Sequence, residues 1–120
     1  MSKKTLVIGA SENPQRYSNM ATKSLLKHGH PVMLLGLKQG NIDGHVILVG
    51  QPKLTDIDTV TLYLNPVNQK IWYDYIINLK PKRIIFNPGT ENPELFNQAT
   101  RIGIECTEAC TLVLLSIGAY

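Results

Sequence analysis

Gly9, Ala10 and Ser11 follow an apolar run directly, and Arg16 stands a short way along the same polar stretch, GASENPQR. The two small residues let a ligand approach the backbone, and the Ser11 hydroxyl can donate a hydrogen bond. A guanidinium grips phosphate through two parallel hydrogen bonds. A helix after such a loop aims its free N–H groups and positive dipole end at the same place. Together these residues outline a phosphate cradle. It is not the G-x-G-x-x-G dinucleotide fingerprint, because Ser11 stands at the second glycine and Pro14 at the third.

A second group lies at Leu35-Gly36-Leu37-Lys38-Gln39. Folds that bind NAD place an acidic residue about 20 residues beyond the glycine loop to accept from the ribose hydroxyls. Here that place holds Lys38 and no acid. A lysine favours a phosphorylated ribose over a bare one, and NADP and coenzyme A both carry that phosphate.

Those residues need elements to hold them. Thr5 to Ile8 is a short β-branched run that reads as a strand buried on both faces. Tyr17, Met20, Ala21, Ser24, Leu25 and His28 fall on one side of a helix that stops at Gly29. Pro31 to Leu35 is a second strand, and Val46 to Val49 a short one in a glycine-bounded segment. Thr59 to Leu64 is a strand ending at Asn65-Pro66. Trp72, Tyr75, Ile76 and Leu79 face the core from a helix that Pro81 closes. Arg83 to Phe86 is a strand ending at Asn87-Pro88-Gly89. Asn92 caps a helix with Pro93 at its first position and Leu95, Phe96, Ala99 and Ile102 on its buried side. Ile104 to Thr107 is a last strand, and Thr111 to Ile117 a last helix.

Strands alternating with helices predict a parallel sheet with helices on both faces, a doubly wound α/β fold. Ligands of such sheets sit beyond the carboxyl ends of the strands. The residues there are Gly9-Ala10-Ser11, Gly36-Leu37-Lys38, Asn65-Pro66 and Asn87-Pro88-Gly89, all small, polar or turn-forming.

At this point the chain resembles the small stand-alone proteins of the CoA-binding domain family. Their Rossmann-like module also opens the succinyl-CoA synthetase alpha subunit. The matching pieces are VIGASENPQRYSNMA, LKQGNIDGHVI, TLYLNP, NPGTENPELFNQATRIGIE and EACTLVLL, spread over nearly the whole chain in order. The resemblance implies that Gly9, Ala10, Ser11, Arg16 and Tyr17-Ser18-Asn19 hold the diphosphate of coenzyme A. It places Gly36 and Lys38 near the adenosine end, and Leu64-Asn65-Pro66 with Asn87-Pro88-Gly89 along the rest of the ligand. Family members often carry an Asn-Pro pair after the second strand, where this sequence has Gly36-Leu37.

Composition bounds the rest. With 120 residues, 43% of them hydrophobic and 18% charged, the sequence reads as one globular domain over residues 1–120. The apolar run after Lys4 is too short for a signal peptide or a membrane span, so the expected location is the cytoplasm. The net charge of +3 comes from scattered lysines without a basic stripe, which argues against nucleic acid and fits an anionic small molecule. Cys106 and Cys110 form a C-x3-C pair with no histidine nearby to complete a zinc site, and both are expected in the core or a pocket wall.

Acyl-CoA chemistry would need a nucleophile or an acid–base pair at the thiol end of the ligand. His28 reads as a dipole partner at a helix end and His45 as a turn residue. Glu91 reads as part of the first turn of a helix. Glu108 and Cys110 follow the last strand, where Cys110 could exchange thiols with coenzyme A. In the related synthetase subunits a second domain supplies the phosphorylated histidine, and these 120 residues do not contain it. The expectation is a protein that binds coenzyme A or a short acyl-CoA without catalysis of its own. The alternatives are an NADP-binding oxidoreductase module and an interaction module that has lost its ligand.

Overall fold

The computed structural model describes residues 2–120. Its strands are β1 (Thr5–Ile8), β2 (Val32–Leu35), β3 (Gly40–Ile42), β4 (His45–Leu48), β5 (Thr59–Leu62), β6 (Arg83–Phe86) and β7 (Glu105–Glu108). The helices are α1 (Tyr17–Lys27), α2 (Pro66–Gln69), α3 (Tyr73–Leu79), α4 (Pro93–Arg101) and α5 (Thr111–Ser116), with a 3-10 turn at Lys70–Trp72 between α2 and α3. No helix of the described residues is long and apolar enough to cross a membrane.

One sheet holds all the strands in the order β3-β4-β2-β1-β5-β6-β7. The fold is α/β and Rossmann-like. β1 is fully buried along its length, as its unbroken apolar run requires. It pairs in parallel with β2 on one side and β5 on the other. Because the chain leaves β1 toward one edge and later returns to its other side, strand order reverses between β1 and β5. A crevice opens beyond the carboxyl ends at such a reversal.

Alternation along each strand feeds two cores. Leu6 and Ile8 of β1 pack with Ile76 of α3 and with Leu95 and Ala99 of α4. Val7 packs on the opposite face with Leu25 of α1 and Leu115 of α5. Helices therefore cover both faces.

Four local expectations change. The segment expected to give one strand at Val46–Val49 is a hairpin, β3 and β4, and it is the antiparallel pair in the sheet. Its turn is Asp43-Gly44, with φ of 49° and 88°. Asp-Gly is the pair that a two-residue hairpin turn with positive φ selects. The helix expected around Trp72 to Leu79 runs unbroken over Tyr73–Leu79 but leaves Trp72 in the 3-10 turn that precedes it, and Lys80 ends α3 in the left-handed conformation with φ 50°. Helix α1 buries Ala21 and Leu25 as expected, but its inward face is rotated: Tyr17 is 69% and Met20 38% exposed, while Ser18, Asn19 and Thr22 are buried. Small polar residues let its first turns lie close to the sheet; the Thr22 hydroxyl donates back along the helix to the Ser18 carbonyl at 2.8 Å, while Asn19 Oδ1 is buried without a hydrogen-bond partner. Ile102 is 56% exposed, because it caps α4 rather than continuing its buried side.

Candidate functional site

At the reversal point the strand ends come together with little room to spare. The Gly9 and Ala10 amides both donate to the Leu35 carbonyl at 2.9 Å, and the Tyr63 amide donates to Ile8 at 2.9 Å. Gly9 has φ +99°, and a Cβ there would stand 3.0 Å from the Tyr63 carbonyl. A Cβ on Gly36 would stand 2.5 Å from the Ala10 oxygen. These two glycines are needed for the approach of backbone to backbone at the floor of the crevice.

Above that floor, the loop from Ser11 to Arg16 is folded on itself. The Asn13 amide donates to Ser11 Oγ at 3.1 Å, Gln15 donates to Asn13 Oδ1 at 3.0 Å, and Arg16 donates to the Asn13 carbonyl at 3.0 Å. Ser11 Oγ accepts from the loop, so its own proton is available to a ligand. The Asn19 amide donates to the Ser11 carbonyl at 2.9 Å and ties the loop to α1. Glu12 Oε2 accepts from the Asn41 amide at 2.9 Å, which ties it to the β3–β4 hairpin. Helix α1 begins at Arg16 with no side-chain cap and no acid in its first turn. By contrast, Asn65 caps α2 and Asn92 caps α4.

The cleft so formed has a volume of about 670 Å3. Of the residues expected at a site, Gly9, Ala10, Ser11, Arg16, Tyr17, Ser18, Lys38, Leu64, Asn65, Pro88 and Gly89 line it. Arg16 and Lys38 are exposed, and neither is paired with an acid. Among the described residues the one ion pair is Lys82 with Asp58, at 4.0 Å.

The other four expected residues lie behind the lining. Asn19 braces the loop, Gly36 packs on Ala10, and Pro66 opens α2. Asn87 is 1% exposed with its amide fully engaged. Its nitrogen donates to Thr61 Oγ1 at 2.7 Å and to the Leu62 carbonyl at 2.8 Å, and its oxygen accepts from the Thr111 amide at 2.9 Å.

Leu37, expected at the strand edge with Gly36 and Lys38, also lines the cleft. Sequence reasoning missed Glu12, Asn13, Gln39, Tyr63 and Thr90, which line it as well. Glu12 and Asn13 sit between residues already singled out and Gln39 follows Lys38, so their neighbours carried the signal. Tyr63 is the residue after β5, and its backbone lies under Gly9. Its hydroxyl is buried without a hydrogen-bond partner. Burial pushes its pKa up to about 12, with the nearby Thr111 hydroxyl acting in the opposite direction.

The groups considered for chemistry lie elsewhere. His28 Nδ1 bonds the Ser24 carbonyl at 2.8 Å, and His30 Nδ1 accepts from the Lys3 amide at 2.9 Å. Glu91 Oε1 accepts from the Gly89 amide at 2.9 Å and so shapes the turn. Cys106 and Cys110 are free thiols of intermediate burial, and neither lines the cleft. No metal-binding group of side chains occurs among the described residues.

Residues 3–116 match the sequence pattern described as the CoA binding domain. The chain belongs to the CoA binding domain family. No curated protein matches it. Among solved structures, this CoA-binding-domain chain is similar to an uncharacterized protein at 48% identity with a TM-score of 0.98, over 100% of this chain and 99% of that one. It is similar to a hypothetical protein from Pyrococcus horikoshii OT3 at 26% identity with a TM-score of 0.82, over 93% and 80% of the two chains. A Thermus thermophilus protein shares the fold at 17% identity with a TM-score of 0.83, over 99% and 91%.

Proposed function

We propose that the cleft binds coenzyme A or a short acyl-CoA. In this reading Ser11, Arg16 and the uncapped first turn of α1 hold the diphosphate. Lys38 takes the phosphate on the ribose. The pantetheine arm runs toward the wall made by Leu64-Asn65 and Pro88-Gly89. The observation that carries the reading is the meeting of two unpaired cations and an uncapped helix start in one cleft at the strand reversal, in a chain of this family. Charge-assisted bonds to phosphate are the strong ones, and a helix start without a cap has amides to offer. The site is proposed as a binding site, since the histidines and both thiols lie away from the cleft lining. Native mass spectrometry of freshly purified protein tests it. Retained mass equal to coenzyme A or an acyl-CoA is the expected result, and retained NADP would overturn it.

A further inference from the structure

One wall of the cleft is made by two turns on neighbouring strands, and one buried side chain joins them. Gln69 is 0% exposed. Its amide nitrogen donates to the Leu64 carbonyl and to the Thr90 carbonyl, each at 2.8 Å. Leu64 lies in the turn after β5 and Thr90 in the turn after β6, and both line the cleft. The Gln69 oxygen accepts from the Asn92 amide at 2.9 Å. That amide spends its other proton on the Tyr73 hydroxyl at 2.8 Å, while the Asn92 oxygen caps α4 through Glu94 and Leu95.

Every polar hydrogen of both amides is therefore committed. A buried network of this kind holds one geometry, because each lost partner leaves a costly unsatisfied group. An apolar residue at position 69 would fill the core as well, but it would leave the two turns free to move apart.

We propose that Gln69, held by Asn92, is a positioning residue that fixes the spacing of the two turns and thereby the grip on the ligand's arm. The proposal rests on the coenzyme A reading. It predicts a selective defect, because the Gln69 side chain bonds Leu64, Thr90 and Asn92 and neither the Ser11–Arg16 loop nor Lys38. The test is titration calorimetry of the unaltered protein, Gln69→Leu, Asn92→Asp and Tyr73→Phe. The two probes are coenzyme A and 3′-phospho-ADP, which keeps both phosphate groups and lacks the arm. Asn92→Asp keeps the oxygen that caps α4 and removes the amide that holds Gln69. Tyr73→Phe leaves the Asn92–Gln69 bond in place.

Gln69→Leu should weaken coenzyme A about tenfold and Asn92→Asp about threefold, the scale of one buried hydrogen bond. Binding of 3′-phospho-ADP should change by about twofold or less, and Tyr73→Phe should hold coenzyme A close to the unaltered affinity. Should Gln69→Leu not fold, Asn92→Asp decides the matter alone. Equal losses for both probes, or unchanged coenzyme A binding in a folded variant, would overturn the proposal and leave the coenzyme A reading standing. An unaltered protein that takes up neither probe would overturn both.

Discussion

Arg16 and Lys38 differ from the other basic residues in where they stand. Both border the cleft, and neither has an acid to neutralise it. Replacing either by alanine removes no packed side chain, so the fold should survive while affinity falls. A charge-assisted hydrogen bond is worth roughly 1.5–3 kcal/mol, so Arg16→Ala should cost about tenfold or more in coenzyme A affinity. Lys38→Ala should hurt coenzyme A more than dephospho-CoA, which lacks the ribose phosphate. Calorimetry showing equal losses for those two ligands would move Lys38 away from that phosphate. Gly9 carries the opposite kind of importance. With φ at +99° and Tyr63 against it, Gly9→Ala should destabilise the protein. Strain of this sort costs about 2 kcal/mol, or roughly 8 °C in melting temperature for a domain of this size. A variant that melts with the unaltered protein would mean that the floor can shift.

At the scale of elements, much of the architecture was legible because periodicity carries it. β1 reads as a buried strand from four residues, and Asn92-Pro93 marks the start of α4 without help from any contact. Other features were legible but went unread. Asp43-Gly44 is a hairpin signal, yet the short polar run before it hid β3. What the sequence could not disclose was tertiary in origin. Nothing local says that Ser18, Asn19 and Thr22 turn inward, since the apolar residues Tyr17 and Met20 suggest the other side. Asn87 makes the same point for the site. Its position after β6 marks it for the ligand edge, but its amide joins β5, β6 and the start of α5. Asn87→Ala should thus lower stability by about 3 kcal/mol, through a buried carbonyl and a buried amide left unpaired. Urea unfolding measures this, and a midpoint that did not move would show that water replaces the amide.

Across the whole molecule, the cleft and the opposite end of the sheet are chemically distinct. At the amino-terminal ends of the strands, His30 receives the Lys3 amide, and its ring lies 4.8 Å from that of Tyr120. The Arg83 guanidinium stacks on Tyr120 at 4.4 Å. Burial lowers the His30 pKa below its usual value, and His28, Lys3 and Arg83 lower it further. The folded state thus favours the neutral ring. Its contribution to stability is full above the unfolded value near 6.5 and is lost as pH falls through the lowered folded value. Unfolding midpoints should decline as pH falls below about 7, and His30→Gln should flatten that decline. An identical slope in the variant would assign the acid sensitivity to other groups.

The claim that joins these scales is that the cleft takes coenzyme A in preference to a dinucleotide. A ligand that binds only the folded state stabilises it by about 2.7 kcal/mol at a hundredfold excess over its Kd. For a domain of this size that raises the melting temperature by on the order of 10 °C. A melting scan with equal concentrations of coenzyme A, NADPH and NAD measures the preference directly. A shift of that order is expected with coenzyme A and a much smaller one with either dinucleotide. A strong shift with NADPH and none with coenzyme A would contradict it.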